Sequence, residues 1–142
     1  MRRYYPLVKD PSPTDSTTDG RYRTRFATFA ALGLVLAVLS KMYAGPGEKV
    51  IRGNLDDVFI VHAVYFTLRA FIPRLGNIRT ALAVCLLAVS VELLQGAGVF
   101  SPKLSGAAGY WLGQYFDVLD IAAYVVGATT SLLIERGMRL LE

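Results

Sequence analysis

The sequence is poor in the residue types that most often build catalytic and metal sites. Its 142 residues include one cysteine, Cys85, and one histidine, His62. A single cysteine excludes an intramolecular disulfide, and a zinc site needs more His or Cys ligands than this chain supplies. The sequence also lacks a Gly-rich dinucleotide motif, a P-loop, an HExxH motif and a serine nucleophile elbow. It therefore predicts no metal and no other cofactor, and it does not favour an enzyme.

Charged side chains are scarce as well. They make up 18% of the chain against 54% hydrophobic residues, and the mean hydropathy is +0.42. This combination is typical of a small integral membrane protein. The net charge is +4, but the basic residues flank apolar runs instead of forming a patch among aromatics. The pattern predicts membrane lipids as partners and no nucleic acid.

Four apolar runs predict an all-α fold, a four-helix transmembrane bundle within a domain at 26–142. Each run is short against the roughly 20 apolar residues that span a bilayer, so a soluble helical bundle is the alternative. Thr80–Val91, however, has no polar face of the kind a surface helix of a soluble protein needs. The predicted helices cover about 26–43, 56–72, 78–95 and 117–135.

The segments between the runs have different characters. Residues 1–25 are polar and rich in proline, which predicts a disordered cytoplasmic tail. Ala44–Leu55 holds three glycines and a proline and predicts a loop. Gly96–Phe116 is too apolar for an exposed loop, which favours a re-entrant or interfacial segment between the third and fourth helices.

The distribution of basic residues predicts an orientation. Most of them lie in the N-terminal segment, the connection between the second and third runs, and the C-terminal end. The positive-inside rule then places both termini in the cytoplasm. This topology brings one group of acidic residues to the outer end of the helices, where ionisable groups usually mark a functional site. The group comprises Asp56, Asp57, Glu92, Asp117 and Asp120.

Two helix faces combine these acids with other polar groups. Glu92 and Gln95 share one face of the third helix, and Asp117, Asp120 and Tyr124 share one face of the fourth. Such a set can bind a cation, a sugar or a lipid headgroup. The structural alternatives are that Asp117 caps its helix and that Asp120 pairs with a basic loop residue, Lys103 or Arg52.

The second helix carries further polar residues. Asp56 and Asp57 are adjacent, so at most one of them is expected to face the bundle, and Asn54 is a candidate cap. His62 either extends the site inward or bonds to a neighbouring helix as a structural residue, and the latter is favoured. Arg69 is expected to extend towards lipid phosphates at the cytoplasmic surface.

Three small residues predict close helix packing. Gly33 and Ala37 have small-xxx-small spacing on the first helix, and Gly127 continues the polar face of the fourth. Small side chains at such positions let the backbones of membrane helices approach.

Three strings carry a family resemblance. They are Gly53–Asp56 opening a helix that continues to Arg69, the Glu92–Gln95 pair, and the segment from Leu112 through Asp117 and Asp120 to Gly127. In this order they resemble the small, uncharacterised bacterial branch of the VanZ-like membrane proteins. VanZ itself is associated with low-level teicoplanin resistance, and the resemblance implies a multi-pass protein of the bacterial inner membrane. Relatives tend to carry an arginine before the D-x-x motif, where this chain offers only Lys103, which cannot form a bidentate fork.

These observations leave three functions open. The leading hypothesis is binding or handling of a cell-envelope lipid or glycolipid at an outward-facing acidic pocket. An accessory membrane protein without chemistry, acting in a homo-oligomer or beside a partner subunit, is the second. A small proton or cation pathway through His62 and Glu92 is the third. The residues proposed to line the site are Glu92, Gln95, Asp117, Asp120, Tyr124, His62 and Asp56.

Overall fold

The computed structural model describes residues 13–97, 99 and 117–140, and the regular structure in these ranges is helical. Four long helices are present: α1 at Pro13–Met42, α2 at Asp56–Phe71, α3 at Asn77–Gly96 and α4 at Val118–Leu140. An all-α fold was predicted and is confirmed for the described residues. The predicted re-entrant segment between α3 and α4 lies almost entirely outside them.

Among the described residues, three stretches are long and apolar enough to cross a membrane: Gly20–Met42, Asn77–Gly96 and Val118–Leu140. Their outer faces carry large exposed apolar side chains, among them Leu39, Leu86 and Leu133. In water such a surface would be unfavourable, whereas in a bilayer it contacts lipid tails. These features indicate a membrane protein.

Helix α2 is the central element of the bundle. It packs against α1 on one side and against α3 and α4 on the other, while α3 and α4 also contact each other. Its side chains supply most of the core, with Val61, Tyr65 and Phe66 almost completely buried. At 16 residues α2 is the shortest of the four long helices. Because it lies between the other three, few of its side chains are exposed.

Two segments are helical that the sequence did not predict as helix. Helix α1 begins at Pro13, so residues 13–25 belong to a helix and not to a disordered tail. Tyr22 then packs against Phe26 and the core, which anchors this polar beginning of the helix.

The segment before α2 is the second difference. The sequence predicted a loop over Ala44–Leu55, but the chain turns at Gly47, which has φ 78°, and is helical from Glu48. Ile51–Leu55 forms a π-helical turn that continues directly into α2. Asn54 therefore lies inside a helix and does not cap α2. Wide turns of this kind occur often at functional sites.

Glycines allow the close contacts that were predicted between helices. A Cβ atom at Gly33 would lie 3.0 Å from the carbonyl oxygen of Phe59, and one at Gly127 would lie 2.9 Å from that of Val58. Ala37, one turn from Gly33, is fully buried. Both α1 and α4 thus touch the backbone of α2 through small residues, as expected for membrane helices.

Replacing Gly127 with alanine tests this packing against a matched control. The added methyl group collides with Val58 and Val61, so the variant should lose about 1–3 kcal/mol of unfolding free energy. A Cβ at Gly137 on the same helix meets nothing within 4 Å, so Gly137→Ala should be neutral or gain up to about 1 kcal/mol. Thermal or urea unfolding in detergent micelles gives both values. Equal effects at the two positions would contradict the close α2–α4 contact.

Candidate functional site

The acidic residues lie at one end of the bundle, which we call the acidic end. It is formed by the end of α1, the segment Glu48–Leu55 that enters α2, the end of α3 and the beginning of α4. The predicted convergence of Asp56, Asp57, Glu92, Asp117 and Asp120 is therefore found in the structure. Their partners, however, divide them into three groups with different chemistry.

Glu92 links α3 to α4 at the acidic end. Its side chain is 1% exposed. One carboxylate oxygen accepts a hydrogen bond from the backbone N–H of Asp117 at 2.7 Å, and the other accepts one from the hydroxyl of Tyr124 at 3.2 Å. Asp117 in turn accepts a hydrogen bond from the N–H of Leu119 at 2.9 Å, which caps α4 as the structural alternative predicted. Glu92 and Asp117 thus fix the beginning of α4 against α3.

Asp57 and Asp120 form the second group. Their carboxyl groups, from α2 and α4, are close enough to share a hydrogen bond. Asp120 also accepts a hydrogen bond from the side-chain amide of Asn54 at 3.3 Å. The predicted partner Arg52 pairs instead with Glu48, and Lys103 lies outside the described residues. Two carboxyl groups in contact require a proton or another cation between them.

Asp56 forms the third group with Lys41 of α1. The carboxylate is 1% exposed, and one of its oxygens lies 2.7 Å from the ammonium of Lys41. Its other oxygen has no hydrogen-bond partner among the residues that the structure describes. Asp56 and Asp57 both face inward, towards different helices, so the expectation that one of them is an exposed helix-start charge was wrong. The adjacent positions differ by about 100° around a helix, which allows this divergence.

An open cavity connects these groups to the interior. Its volume is about 760 Å³, and it lies chiefly between α2, α3 and α4. Asp57, Asp120, Glu92 and Gln95 line its polar part, together with Lys41, Lys49, Asn54, Asp117 and Tyr124. Asp56 and His62 do not line it. The predicted site residues are therefore brought to one cavity, except for these two.

The deeper wall of the cavity is apolar. Val64 lies two helical turns beyond Asp57, about 10 Å further along the axis, and Val84 and Ala88 face it from α3. Leu87 both lines the cavity and is 56% exposed on the outer surface of α3. The cavity thus has a polar mouth at the acidic end, an apolar interior and a wall that borders the membrane-facing surface.

His62 has a structural partner. Its Nδ1 is hydrogen-bonded to the hydroxyl of Ser131 on α4, and that hydroxyl donates to the carbonyl of Gly127 at 2.7 Å. This contact between α2 and α4 fits the interpretation of His62 as a residue bonded to a neighbouring helix.

A second polar cluster at the opposite end of the bundle was not predicted. Arg69 is 4% exposed and forms a bidentate pair with Glu135 of α4, with N–O distances of 2.8 and 2.9 Å. Tyr65 donates to the same carboxylate at 2.6 Å, and Arg139 lies 2.5 Å from it. Arg69 also stacks over Phe26 at 5.4 Å. The expectation that Arg69 extends to lipid phosphates was therefore wrong, because the buried Glu135 holds its guanidinium inside the bundle.

One sequence signal for this cluster existed. Glu135 precedes Arg139 by four residues, and it is the only acid in the last two turns of an otherwise apolar and basic helix end. An acid in that position needs a cation, and Arg69 is the basic residue at the same depth of α2.

Sequence comparison supplies a family for the chain. A family model described as "Protein of unknown function (DUF2809)" matches residues 47–128, more than half of the chain. The chain belongs to this family. No curated protein and no solved structure matches it significantly.

The DUF2809 match covers the cavity of this protein almost completely. It begins before Lys49 and includes Asp57, Glu92, Asp120 and Tyr124, whereas Lys41 and the Glu135 end of α4 lie outside it. Within the described part of the DUF2809 chain, no group of three or more His, Cys, Asp or Glu residues is arranged to hold a metal ion.

Proposed function

We propose that this protein binds a membrane lipid or glycolipid in the cavity between α2, α3 and α4. One observation carries the proposal: a single cavity joins a charged mouth to an apolar interior. Ligand sites are usually concave, mostly apolar and fitted with a few polar groups, and span about 300–1,000 Å³. At about 760 Å³ the cavity falls in this range. An amphiphile would place its headgroup among the carboxylates and part of its chain against Val64 and Val84.

The membrane setting belongs to the same proposal. We infer four spans with both termini in the cytoplasm, because the basic residues cluster on that side of the predicted topology. The helical segment Glu48–Leu55 continues directly into α2, and together they are long enough to span a bilayer. The acidic end and the cavity mouth then face outward. The resemblance to VanZ-like proteins supports a role in the bacterial inner membrane and cell envelope.

Filling the cavity with a bulky side chain tests lipid binding. Ala88 lines the cavity, so Ala88→Trp should occupy the space of the lipid chain. Leu86, two residues away, is 68% exposed and does not line the cavity, so Leu86→Trp is the matched control. A lipid present at about 100 times its Kd should stabilise the wild type and the control by about 2.7 kcal/mol, and Ala88→Trp much less.

The measurement is thermal unfolding in detergent with and without added lipid extract. Lipid-dependent stabilisation that is the same in Ala88→Trp and Leu86→Trp would mean that the lipid binds elsewhere on the protein. No stabilisation of the wild type by any lipid would count directly against the proposed function.

A further inference from the structure

We propose that the headgroup bound in the cavity is zwitterionic, with a primary ammonium next to a phosphate, as in an aminophospholipid. This inference rests on the proposed lipid-binding function and assigns the class of lipid. The observation behind it is that both signs of charge line the cavity, with only part of each sign neutralised by other residues that the structure describes.

The carboxylates of the cavity differ in how far they are already bonded. Both oxygens of Glu92 accept hydrogen bonds from α4, and Asp117 caps that helix. Asp57 and Asp120 remain: both line the cavity, they contact each other from α2 and α4, and Asp120 also accepts a hydrogen bond from Asn54. A primary ammonium has three N–H donors. Placed at the mouth, it can donate hydrogen bonds to both carboxylates.

The lysines of the cavity differ in the same way. Lys41 is held by Asp56 at 2.7 Å and points its ammonium at the carbonyl of Arg52 as well. Lys49 lines the cavity from the first turn of the helical segment that begins at Glu48, and its side chain is exposed. Lysine binds phosphate as a point charge. We place the lipid phosphate beside Lys49 and its attached aminoethyl group at the Asp57–Asp120 pair, because all three residues line the same cavity.

The same charges disfavour other headgroups. A purely anionic headgroup would offer nothing to Asp57 and Asp120 and would lie close to four carboxylates. An uncharged sugar would offer no anionic group to Lys49. A quaternary ammonium lacks N–H donors, so it can be attracted to the carboxylate pair but cannot hydrogen-bond to it.

Native mass spectrometry with three phospholipids of identical acyl chains tests the inference. Phosphatidylethanolamine, phosphatidylcholine and phosphatidylglycerol are titrated separately into the detergent-solubilised full chain. We expect the ethanolamine lipid to bind about tenfold more tightly than either of the others, the size of one charge-assisted hydrogen-bonded contact. The double variant Asp57→Asn/Asp120→Asn should lose this preference. Glu48→Gln removes an acid that is outside the cavity lining and should keep it.

Four outcomes decide the question. Equal binding of the three lipids to the wild type, or a preference for phosphatidylglycerol, would overturn the headgroup assignment, and neither result depends on whether a variant folds. Retention of the ethanolamine preference in the double variant would also overturn it. If the wild type binds none of the lipids, the proposed function itself fails, whereas non-selective binding that Ala88→Trp blocks leaves that function intact.

Discussion

Replacing Glu135 with alanine is expected to lower the free energy of unfolding by about 3–5 kcal/mol, because it leaves a buried charge without its partner. The guanidinium of Arg69 is 4% exposed and donates two hydrogen bonds to this one carboxylate. Without Glu135 it would retain the carbonyl of Pro73 at 2.8 Å and the Phe26 ring, neither of which carries a negative charge. Denaturant titration in micelles measures the loss.

Two variants separate the cost of leaving a buried charge unpaired from the contribution of the ion pair itself. The double variant Arg69→Met/Glu135→Leu replaces the pair with apolar side chains of similar volume and should regain most of the lost stability. Arg139 is about half exposed and only adds to a carboxylate that Arg69 already pairs, so Arg139→Met should cost less than about 1 kcal/mol. A double variant as unstable as Glu135→Ala would show that the pair contributes specific bonds that apolar packing cannot replace.

Replacing Lys41 with methionine is expected to cost nearly as much, about 3–5 kcal/mol. Asp56 is 1% exposed, and Lys41 is the cation in contact with it. One of its carboxylate oxygens already lacks a hydrogen-bond partner within the described part of the chain, so the variant would leave the charge almost without compensation. Unfolding of the variant in the same micelles, compared with the wild type, gives the cost.

The Lys41–Asp56 pair predicts an asymmetry between its two members. Lys41 is 17% exposed, so in Asp56→Asn its flexible side chain can turn towards water, and that variant should lose only about 1–2 kcal/mol. Lys49→Met removes an exposed lysine from the same end and should change stability little. If Asp56→Asn is more damaging than Lys41→Met, the burial of Asp56 does not determine the energetics of this end.

The apolar patterns of the sequence predicted the helices well where burial or lipid contact requires apolar residues. The predicted helices at 56–72, 78–95 and 117–135 agree closely with α2, α3 and α4, apart from the longer C-terminal end of α4. Residues 13–25 were missed because a helix that extends from a stable apolar segment needs no apolar residues of its own. The helical turns before α2 were missed because Gly53, normally a sign of a loop, fits a π-helical turn.

The site was predicted in outline but not in its pairings. The predicted topology alone places several helix ends on the same side of the membrane. This was enough to identify Glu92, Asp117 and Asp120. Which acid meets which partner depends on the rotation of each helix, and one position along a helix changes that by about 100°. For this reason Asp57, not Asp56, lines the cavity, and the Arg69–Glu135 pair, separated by 66 residues, was not expected.

Nuclear Overhauser contacts between a bound lipid and the cavity methyl groups test the central claim most directly. The protein, reconstituted in nanodiscs with protonated lipid, should show contacts from lipid chain protons to Val64 and Val84, of which Val84 is only 2% exposed. Ala88→Trp should remove these contacts and leave those to the exposed Leu86 unchanged. Contacts confined to outward-facing methyl groups such as Leu86, with none at Val84, would contradict a lipid-binding cavity.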